Sequence, residues 1–217
     1  MIDDGYVKYK CIWTKTQPVN ADMIHDLLVW RQELYHLDII GAYENGVGFG
    51  NVSQRVAQSC EFFVTGTATG TIQQINQNHV SIVTSVDIDE NLLQCSGPVK
   101  ASSEAMTHAA IYAEDETIGG VIHVHNLALW DAFYEVVPTT NPQATYGTPK
   151  MARELAKIVR EHKKKKNKPL IVMAGHEEGL IAYGKTLDDA GKVILTYMQK
   201  IQHKVKHLAV HKDEHEV

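Results

Sequence analysis

The chain has 217 residues, 44% of them hydrophobic and 22% charged, which suits one globular domain with a sizeable core or two small domains. Its formal net charge of −5 argues against nucleic acid or an anionic membrane as a partner, and no apolar run reaches transmembrane length. Three cysteines cannot all pair within one chain, and the acidic N-terminal segment is unlike a signal peptide, so we expect a cytoplasmic protein.

The first half of the chain contains one helical pattern followed by several strand patterns. Residues 21–37 have apolar spacing close to that of a helix, and Asn20 is a candidate N-cap. A glycine-rich turn follows at 41–50. The predicted strands after it are 51–56, 61–65 and 80–87.

The second half continues the mixture of strands and helices. A helical pattern opens at Ser102–Glu104 and runs through Tyr112. The later predicted strands are 121–125, 169–174 and 181–183, and the later predicted helices are 150–163 and 188–205. These elements do not alternate strictly, and no linker divides them. We therefore expect a single domain over 1–217 with an α/β fold, in which a mostly antiparallel or mixed sheet is the middle of three α/β/α layers.

His-Val-His at 123–125 is the first candidate for a functional site. Alternate side chains of a strand share a face, so His123 and His125 could bind one metal ion, although two hydrogen-bonded histidines at a strand end fit the spacing equally well. His176 follows the predicted strand 169–174 and is either a third ligand or a structural histidine. Three imidazoles leave an open coordination position, which is typical of catalytic zinc, and leave the ion its full charge to polarise a carbonyl.

The helix start at 102–104, Ser-Ser-Glu, is the second candidate. Serine hydroxyls and free backbone N–H groups at a helix N-terminus form an anion site that suits a phosphate. Glu104 is either an ordinary helix-start acid or, if it lies near a metal, a general base. Two glycine-containing segments, 50–53 and 65–67, offer further amide and hydroxyl donors for a phosphate.

These segments together resemble the class II aldolase/adducin family. The resemblance rests on six motifs that occur in the family's order, at about its spacing, over nearly the whole chain. They are Gly-Asn-Val-Ser (50–53), Thr-Gly-Thr (65–67), Ser-Ser-Glu (102–104), His-Val-His-Asn (123–126), Tyr-Gly-Thr-Pro (146–149) and Gly-His-Glu-Glu-Gly-Leu (175–180).

The resemblance implies a zinc-dependent aldolase. By resemblance, His123, His125 and His176 hold one zinc ion per subunit, and Glu104 is the acid/base. The implied phosphate-binding residues are Gly50, Asn51, Thr65, Gly66, Ser102 and Ser103. The implied reaction is reversible cleavage of a ketose 1-phosphate, of the fuculose- or rhamnulose-phosphate type, to dihydroxyacetone phosphate and an aldehyde. Family aldolases are four-fold homotetramers with sites between subunits, so a homotetramer is implied as well.

The sequence departs from the family pattern in two places. Members often carry a second histidine before the glycine of the last motif, where this chain has Glu177 and Glu178. These carboxylates could be solvated, or Glu177 could alter the charge near the metal. The region that supplies a proton-donating tyrosine in the aldolases is shorter here. Tyr134 and Tyr146 are candidates for that tyrosine, with packing roles favoured for both.

Three other functions share the implied fold. A pentulose-phosphate 4-epimerase uses the same retro-aldol chemistry but usually has aspartate in place of Glu104. A methylthioribulose-phosphate dehydratase keeps the glutamate and the metal, and differs in what leaves after proton removal. An adducin-like interaction module has no catalysis and tends to lose the metal ligands, so the three histidines argue against it.

Overall fold

The computed structural model describes residues 9–165 and 169–213, with side chains over 9–163 and 169–203. The strands of this part are β1 (Lys10–Lys15), β2 (Gly41–Ala42), β3 (Gly48–Phe49), β4 (Asn51–Arg55), β5 (Phe62–Thr65), β6 (Val80–Asp87), β7 (Leu92–Gly97), β8 (Gly120–His125), β9 (Leu170–Val172) and β10 (Gly179–Gly184). Its α-helices are α1 (His25–His36), α2 (Ala105–Glu114), α3 (Leu127–Phe133), α4 (Pro149–Lys165) and α5 (Leu187–Asp213).

Eight of these strands form one sheet in the order β1-β7-β6-β5-β4-β8-β10-β9. Neighbouring strands are antiparallel throughout, except that β1 runs parallel to β7. The short strands β2 and β3 form a separate antiparallel hairpin. The expected α/β fold with a mostly antiparallel, mixed central sheet is confirmed.

Helices cover both faces of the sheet and bury two hydrophobic cores. Helices α2 and α4 pack on one face, and α1, α3 and α5 pack on the other. Strand β8 crosses the middle of the sheet, and each of its residues is buried. Val121 belongs to the α2–α4 core, whereas Ile122 and Val124 belong to the opposite core. Strand alternation therefore directs His123 and His125 to the α2–α4 face.

Most predicted elements are present, with shifted ends. The predicted helix 21–37 consists of a 3₁₀ turn at Ala21–Ile24 followed by α1, and the Asn20 side chain accepts the Asp22 N–H as a cap. Sequence reasoning missed β1, the hairpin strands β2 and β3, β7 and α3. Helix α3 begins after Asn126, whose side chain accepts the Leu129 N–H at 2.9 Å. None of the helices in the described residues combines the length and apolar character needed to cross a membrane.

Candidate active site

Three histidines from neighbouring strand ends meet at one edge of the sheet. His123 and His125 are alternate residues at the end of β8. His176 lies in the tight turn between β9 and β10, where its N–H donates to the Met173 carbonyl at 3.0 Å. Because β10 pairs with β8 in a register that places Gly179 opposite His125, this turn lies beside the end of β8.

The three imidazoles converge through their Nε2 atoms. The Nε2 of His125 lies 3.2 Å from that of His123 and 3.0 Å from that of His176. One ligand atom from each ring lies within 4.8 Å of the others, and all three side chains are buried. Two imidazole nitrogens that share one tetrahedral zinc ion are about 3.3 Å apart. The spacing therefore fits a single metal ion.

The opposite ring nitrogens identify the tautomers. Nδ1 of His123 donates to the Leu180 carbonyl at 3.0 Å, since a carbonyl oxygen only accepts. The Tyr43 hydroxyl donates to Glu178 at 2.8 Å, so the Tyr43 oxygen accepts the Nδ1 proton of His125, also at 2.8 Å. Both histidines thus direct an Nε2 lone pair, with no hydrogen, towards the same point. Such lone pairs repel each other unless a cation lies between them, and the donor set therefore fits a metal.

The electrostatic surroundings keep His123 in the form that binds metals. Burial holds the pKa of His123 well below its ordinary value, and His125 and His108 lower it further, while the hydrogen bond to Leu180 acts in the opposite direction. A neutral imidazole is the metal-binding form. The nearby His125 ring and then the hydrogen bond from Tyr43 lower the pKa of the Glu178 carboxyl.

Glu104 lies at the N-cap position of α2 and lines the same cleft as the histidines. The side chain is buried, and its Oε2 accepts the hydroxyl proton of Thr107 at 3.0 Å. Its backbone N–H donates to Ser102 Oγ at 3.3 Å. The start of α2 therefore places a buried carboxylate in the cleft that the three imidazoles line, where an acid/base beside a metal would be needed.

A cavity of about 170 Å³ joins the histidines and Glu104 to most of the predicted phosphate-binding residues. The predicted residues in its lining are Gly50, Asn51, Gly66, Ser102 and Ser103. Its further lining residues include Phe49, Thr67, Thr69, Gly70 and Tyr146. We call the three histidines the metal end of the cleft, and the loop 66–70 with Ser102 and Ser103 the phosphate end.

Thr65 is the predicted site residue that does not line the cleft. It is the last residue of β5, and strand alternation turns its side chain away from the α2–α4 face to which Val64 belongs. The Thr65 hydroxyl accepts the Val52 N–H at 3.3 Å. The Thr65 carbonyl accepts the Ser102 N–H at 3.2 Å, so this residue supports the phosphate end through its backbone.

Backbone contacts shape the phosphate end. Gly70 approaches the β2–β3 hairpin so closely that a Cβ atom on it would lie 2.1 Å from the Gly41 carbonyl oxygen. On the other side, Arg31 of α1 is buried and donates to three backbone carbonyls within residues 69–73, at 2.6 to 3.0 Å. The loop is therefore held by both the β2–β3 hairpin and Arg31.

Asn51 joins the two ends of the cleft. It lies on β4 directly opposite His123 of β8, and its side chain is buried. Within the described residues, its Oδ1 accepts no hydrogen bond. Leaving a buried amide oxygen without a donor costs about 1–3 kcal/mol, so a ligand that donates a hydrogen bond in the cleft would relieve this cost.

Sequence reasoning named Tyr146 but missed Tyr43 and Phe49, the other aromatic residues beside the histidines. The Phe49 ring lies 5.4 Å from the His125 ring, and the Tyr146 ring stacks on His176 with 4.6 Å between ring centroids. Tyr43 reaches His125 from the same hairpin as Phe49. Aromatic residues within the glycine-rich turn 41–50 were the one signal available in the sequence for these contacts.

The two departures from the family pattern differ in their positions. Glu177 is exposed, whereas Glu178 is the carboxylate that reaches the metal end. Tyr134 packs on Trp130 with 4.8 Å between ring centroids and is not among the residues that line the cleft. Of the two candidate tyrosines, it is Tyr146 that lies in the cleft.

Known structures share this fold. The chain is similar to L-fuculose-1-phosphate aldolase from Thermus thermophilus, with a TM-score of 0.63 and 19% identity over 89% of this chain and 97% of that one. It is also similar to a sugar-phosphate aldolase from Thermotoga maritima, with a TM-score of 0.65 and 12% identity over 87% of this chain and 96% of that one. At these identities the likeness establishes the fold.

Sequence comparison identifies the family. The chain is 26% identical over 104 residues to methylthioribulose-1-phosphate dehydratase from Leptospira interrogans, an alignment that covers 45% of this chain and 42% of that protein. The chain thus spans less than half the length of the curated relatives it matches. The family model for the Class II Aldolase and Adducin N-terminal domain matches residues 43–202, which include the whole cleft. The chain belongs to the class II aldolase and adducin family.

Proposed function

We propose that this protein is a zinc-dependent lyase that cleaves a ketose 1-phosphate reversibly to dihydroxyacetone phosphate and an aldehyde. The observation that carries the proposal is the convergence of three imidazole Nε2 atoms in one cleft with the buried carboxylate of Glu104. Members of the family are generally metal-dependent lyases. The buried donor set of neutral nitrogens suits zinc.

His123, His125 and His176 would hold the ion, and it would supply a Lewis acid that stabilises negative charge on the substrate's carbonyl oxygen. The histidines fix its position, because strand pairing and the tight turn determine where their rings lie. The low pKa of His123 keeps this ligand unprotonated at neutral pH.

Glu104 would move the proton. In the synthetic direction, its carboxylate removes a proton from the hydroxymethyl carbon of dihydroxyacetone phosphate, the electron pair then forms the new carbon–carbon bond to the aldehyde, and the aldehyde oxygen takes up a proton from solvent. In the cleavage direction this hydroxyl releases its proton to solvent as the carbon–carbon bond breaks, and Glu104 returns the other proton to the hydroxymethyl carbon. The Thr107 hydroxyl orients the carboxylate through its 3.0 Å hydrogen bond to Oε2.

The phosphate would bind to neutral donors. Ser102 and Ser103 lie at the positive end of α2, and Gly66 allows the backbone of its loop to approach a ligand closely. Asn51 and Gly50 complete the proposed set from the side of β4. Asn51 would donate to the phosphate through its Nδ2 group, because a phosphate oxygen accepts hydrogen bonds.

A dehydratase is the second candidate, and the sequence likeness to methylthioribulose-1-phosphate dehydratase favours it. In a dehydratase, Glu104 would remove a proton from the carbon next to the substrate's carbonyl group, and hydroxide would then leave from the neighbouring carbon. A pentulose-phosphate 4-epimerase is the weaker alternative, because this chain has Glu104 where epimerases usually have aspartate.

A panel of phosphorylated ketoses, with metal content measured on the same sample, tests the proposal. Release of dihydroxyacetone phosphate with one zinc ion per chain is the expected result. Loss of water without cleavage would identify the dehydratase instead, and inversion at one carbon would identify the epimerase. Absence of stoichiometric divalent metal would contradict all three.

We further propose that the enzyme acts in the cytoplasm as a homotetramer of single-domain subunits. The support is the resemblance to family aldolases, whose sites lie between subunits. Light scattering coupled to size-exclusion chromatography measures the mass in solution. A mass of four chains is expected, and a stable monomer with full activity would contradict the assembly.

A further inference from the structure

The three proposed metal ligands are held by different kinds of contact. His123 is fixed by a backbone carbonyl of β10, a contact that no side-chain substitution removes. His176 is fixed by the tight turn and by the Tyr146 ring stacked on it. His125 is held by a relay of two side chains from other segments, which makes its support accessible to mutation.

The relay runs through a phenol to a carboxylate. His125 Nδ1 lies 2.8 Å from Tyr43 Oη, and this hydroxyl lies 2.8 Å from Glu178 Oε2. The direct separation of the His125 and Glu178 atoms is 3.8 Å, so the phenol bridges them. Tyr43 comes from the turn between β2 and β3, whereas Glu178 comes from the turn between β9 and β10.

The backbone at Glu178 indicates that its side chain matters. Its φ angle is +66°, in the left-handed region that favours glycine and is strained for other residues. Glu177, its exposed neighbour, carries the same charge but makes none of the relay's hydrogen bonds. A glutamate kept in a strained conformation, with its carboxylate aimed at a ligand's support, fits a positioning role.

We propose that Tyr43 and Glu178 are positioning residues that set the metal affinity of the site through His125. The relay keeps the proton on His125 Nδ1, fixes the plane of the ring, and places a negative charge behind a ligand of a doubly charged cation. Each of these effects strengthens binding at Nε2. This inference rests on the proposed metal site.

Zinc affinity of the metal-free protein tests the relay, measured by competition with a chromophoric chelator. Glu178→Gln and Tyr43→Phe are each expected to weaken zinc binding by about 10- to 100-fold. Glu177→Gln removes the same charge one residue away and is the matched control, with unchanged affinity expected. Cobalt(II) absorption spectra should change shape in the first two variants and not in the control, because the His125 ring is reoriented.

Two further variants separate positioning from a purely structural role. Because the relay's links act in series, the Tyr43→Phe/Glu178→Gln double variant is expected to bind zinc no more weakly than the weaker single variant. Glu178→Gly relieves the backbone strain, so its metal-free form is expected to unfold at the same or a higher temperature while its zinc affinity falls. Additive losses in the double variant would contradict the relay.

The outcomes distinguish this inference from the proposed function. If the unaltered protein binds no stoichiometric zinc, the metal site and the relay both fail. If it binds zinc and Glu178→Gln behaves like Glu177→Gln, the positioning role alone is wrong and the metal site stands.

Discussion

The metal end and the phosphate end of the cleft are built in different ways. The metal end comes from adjacent strands, so its geometry follows from pairing register and from the alternation of side chains along β8. The phosphate end comes from a loop and a helix start, and backbone approach and buried hydrogen bonds determine its geometry. Side-chain substitution should therefore affect the metal end most, whereas added backbone bulk should affect the phosphate end most.

The largest expected effect is at the metal end. His125→Ala removes the ligand whose Nε2 lies between the other two, and should weaken zinc binding by more than about 100-fold and abolish turnover. Metal analysis after dialysis and the cleavage assay measure both. His25→Ala, at an exposed position of α1, is the control. Unchanged cleavage in His125→Ala would contradict the zinc mechanism.

The second-largest effect is expected for Glu104, which lines the cleft together with residues of both ends. Glu104→Gln keeps the shape of the side chain but cannot accept the substrate proton, so turnover should fall by about 10²- to 10⁴-fold. Zinc content should remain that of the unaltered protein, since the three imidazoles are intact. Exchange of the hydroxymethyl hydrogen of dihydroxyacetone phosphate with solvent deuterium reports this step directly. If Glu104→Gln retained this exchange, Glu104 would not be the residue that removes the proton.

A smaller effect is expected at the phosphate end. Gly70→Ala places a Cβ atom against the Gly41 carbonyl oxygen, so the loop must shift, at a cost of about 1–3 kcal/mol in unfolding free energy. We expect a higher KM for the phosphorylated ketose with zinc content unchanged. Thr71→Ala, at an exposed position just beyond the same loop, is the control. If Gly70→Ala instead lost zinc and kept its KM, the loop 66–70 would support the metal site rather than the phosphate site.

The last expected effect is on stability rather than on the cleft itself, and it concerns the packing of α2. His108 is buried in α2 and contacts Ser53 Oγ at 2.7 Å, and burial lowers its pKa to about 3. The unfolded chain binds a proton at this histidine below about pH 6.5, whereas the folded chain stays neutral, so stability falls as the pH is lowered from that value towards 3.

Urea unfolding of the metal-free protein at several pH values measures this loss. The slope should reach about 1.4 kcal/mol per pH unit from His108, and His108→Asn should lose that contribution. Equal pH dependence in the two proteins would show that His108 does not remain neutral in the folded state.

The sequence predicted the fold, and the three histidines that it singled out lie together, because both features depend on local patterns. The β-branched run before His123 and the glycine before His176 place these side chains at strand ends, and pairing of β8 with β10 then brings them together. The confirmed sheet follows from the same alternation. The short edge strand β1 was missed because its alternating burial leaves Ile12 exposed and its lysines resemble a loop.

Contacts between distant segments could not be predicted. Tyr43 lies 82 residues before His125 and 135 before Glu178, and no local pattern indicates that a hairpin tyrosine reaches a strand end. Thr65 was assigned to the phosphate site because its hydroxyl belongs to the Thr-Gly-Thr motif, whereas its position at the end of β5 turns this hydroxyl towards Val52 and away from the cleft.

The alternation along β8 makes the site a reporter of how the sheet assembles. A slip of one residue in strand pairing would present Ile122 and Val124 to the cleft and bury His123 and His125 under α1, α3 and α5. A misregistered chain could keep most of its secondary structure and compactness but would have no place for the ion. The amount of zinc bound after refolding would therefore measure the fraction of molecules with correct strand pairing, which circular dichroism does not distinguish from misregistered molecules.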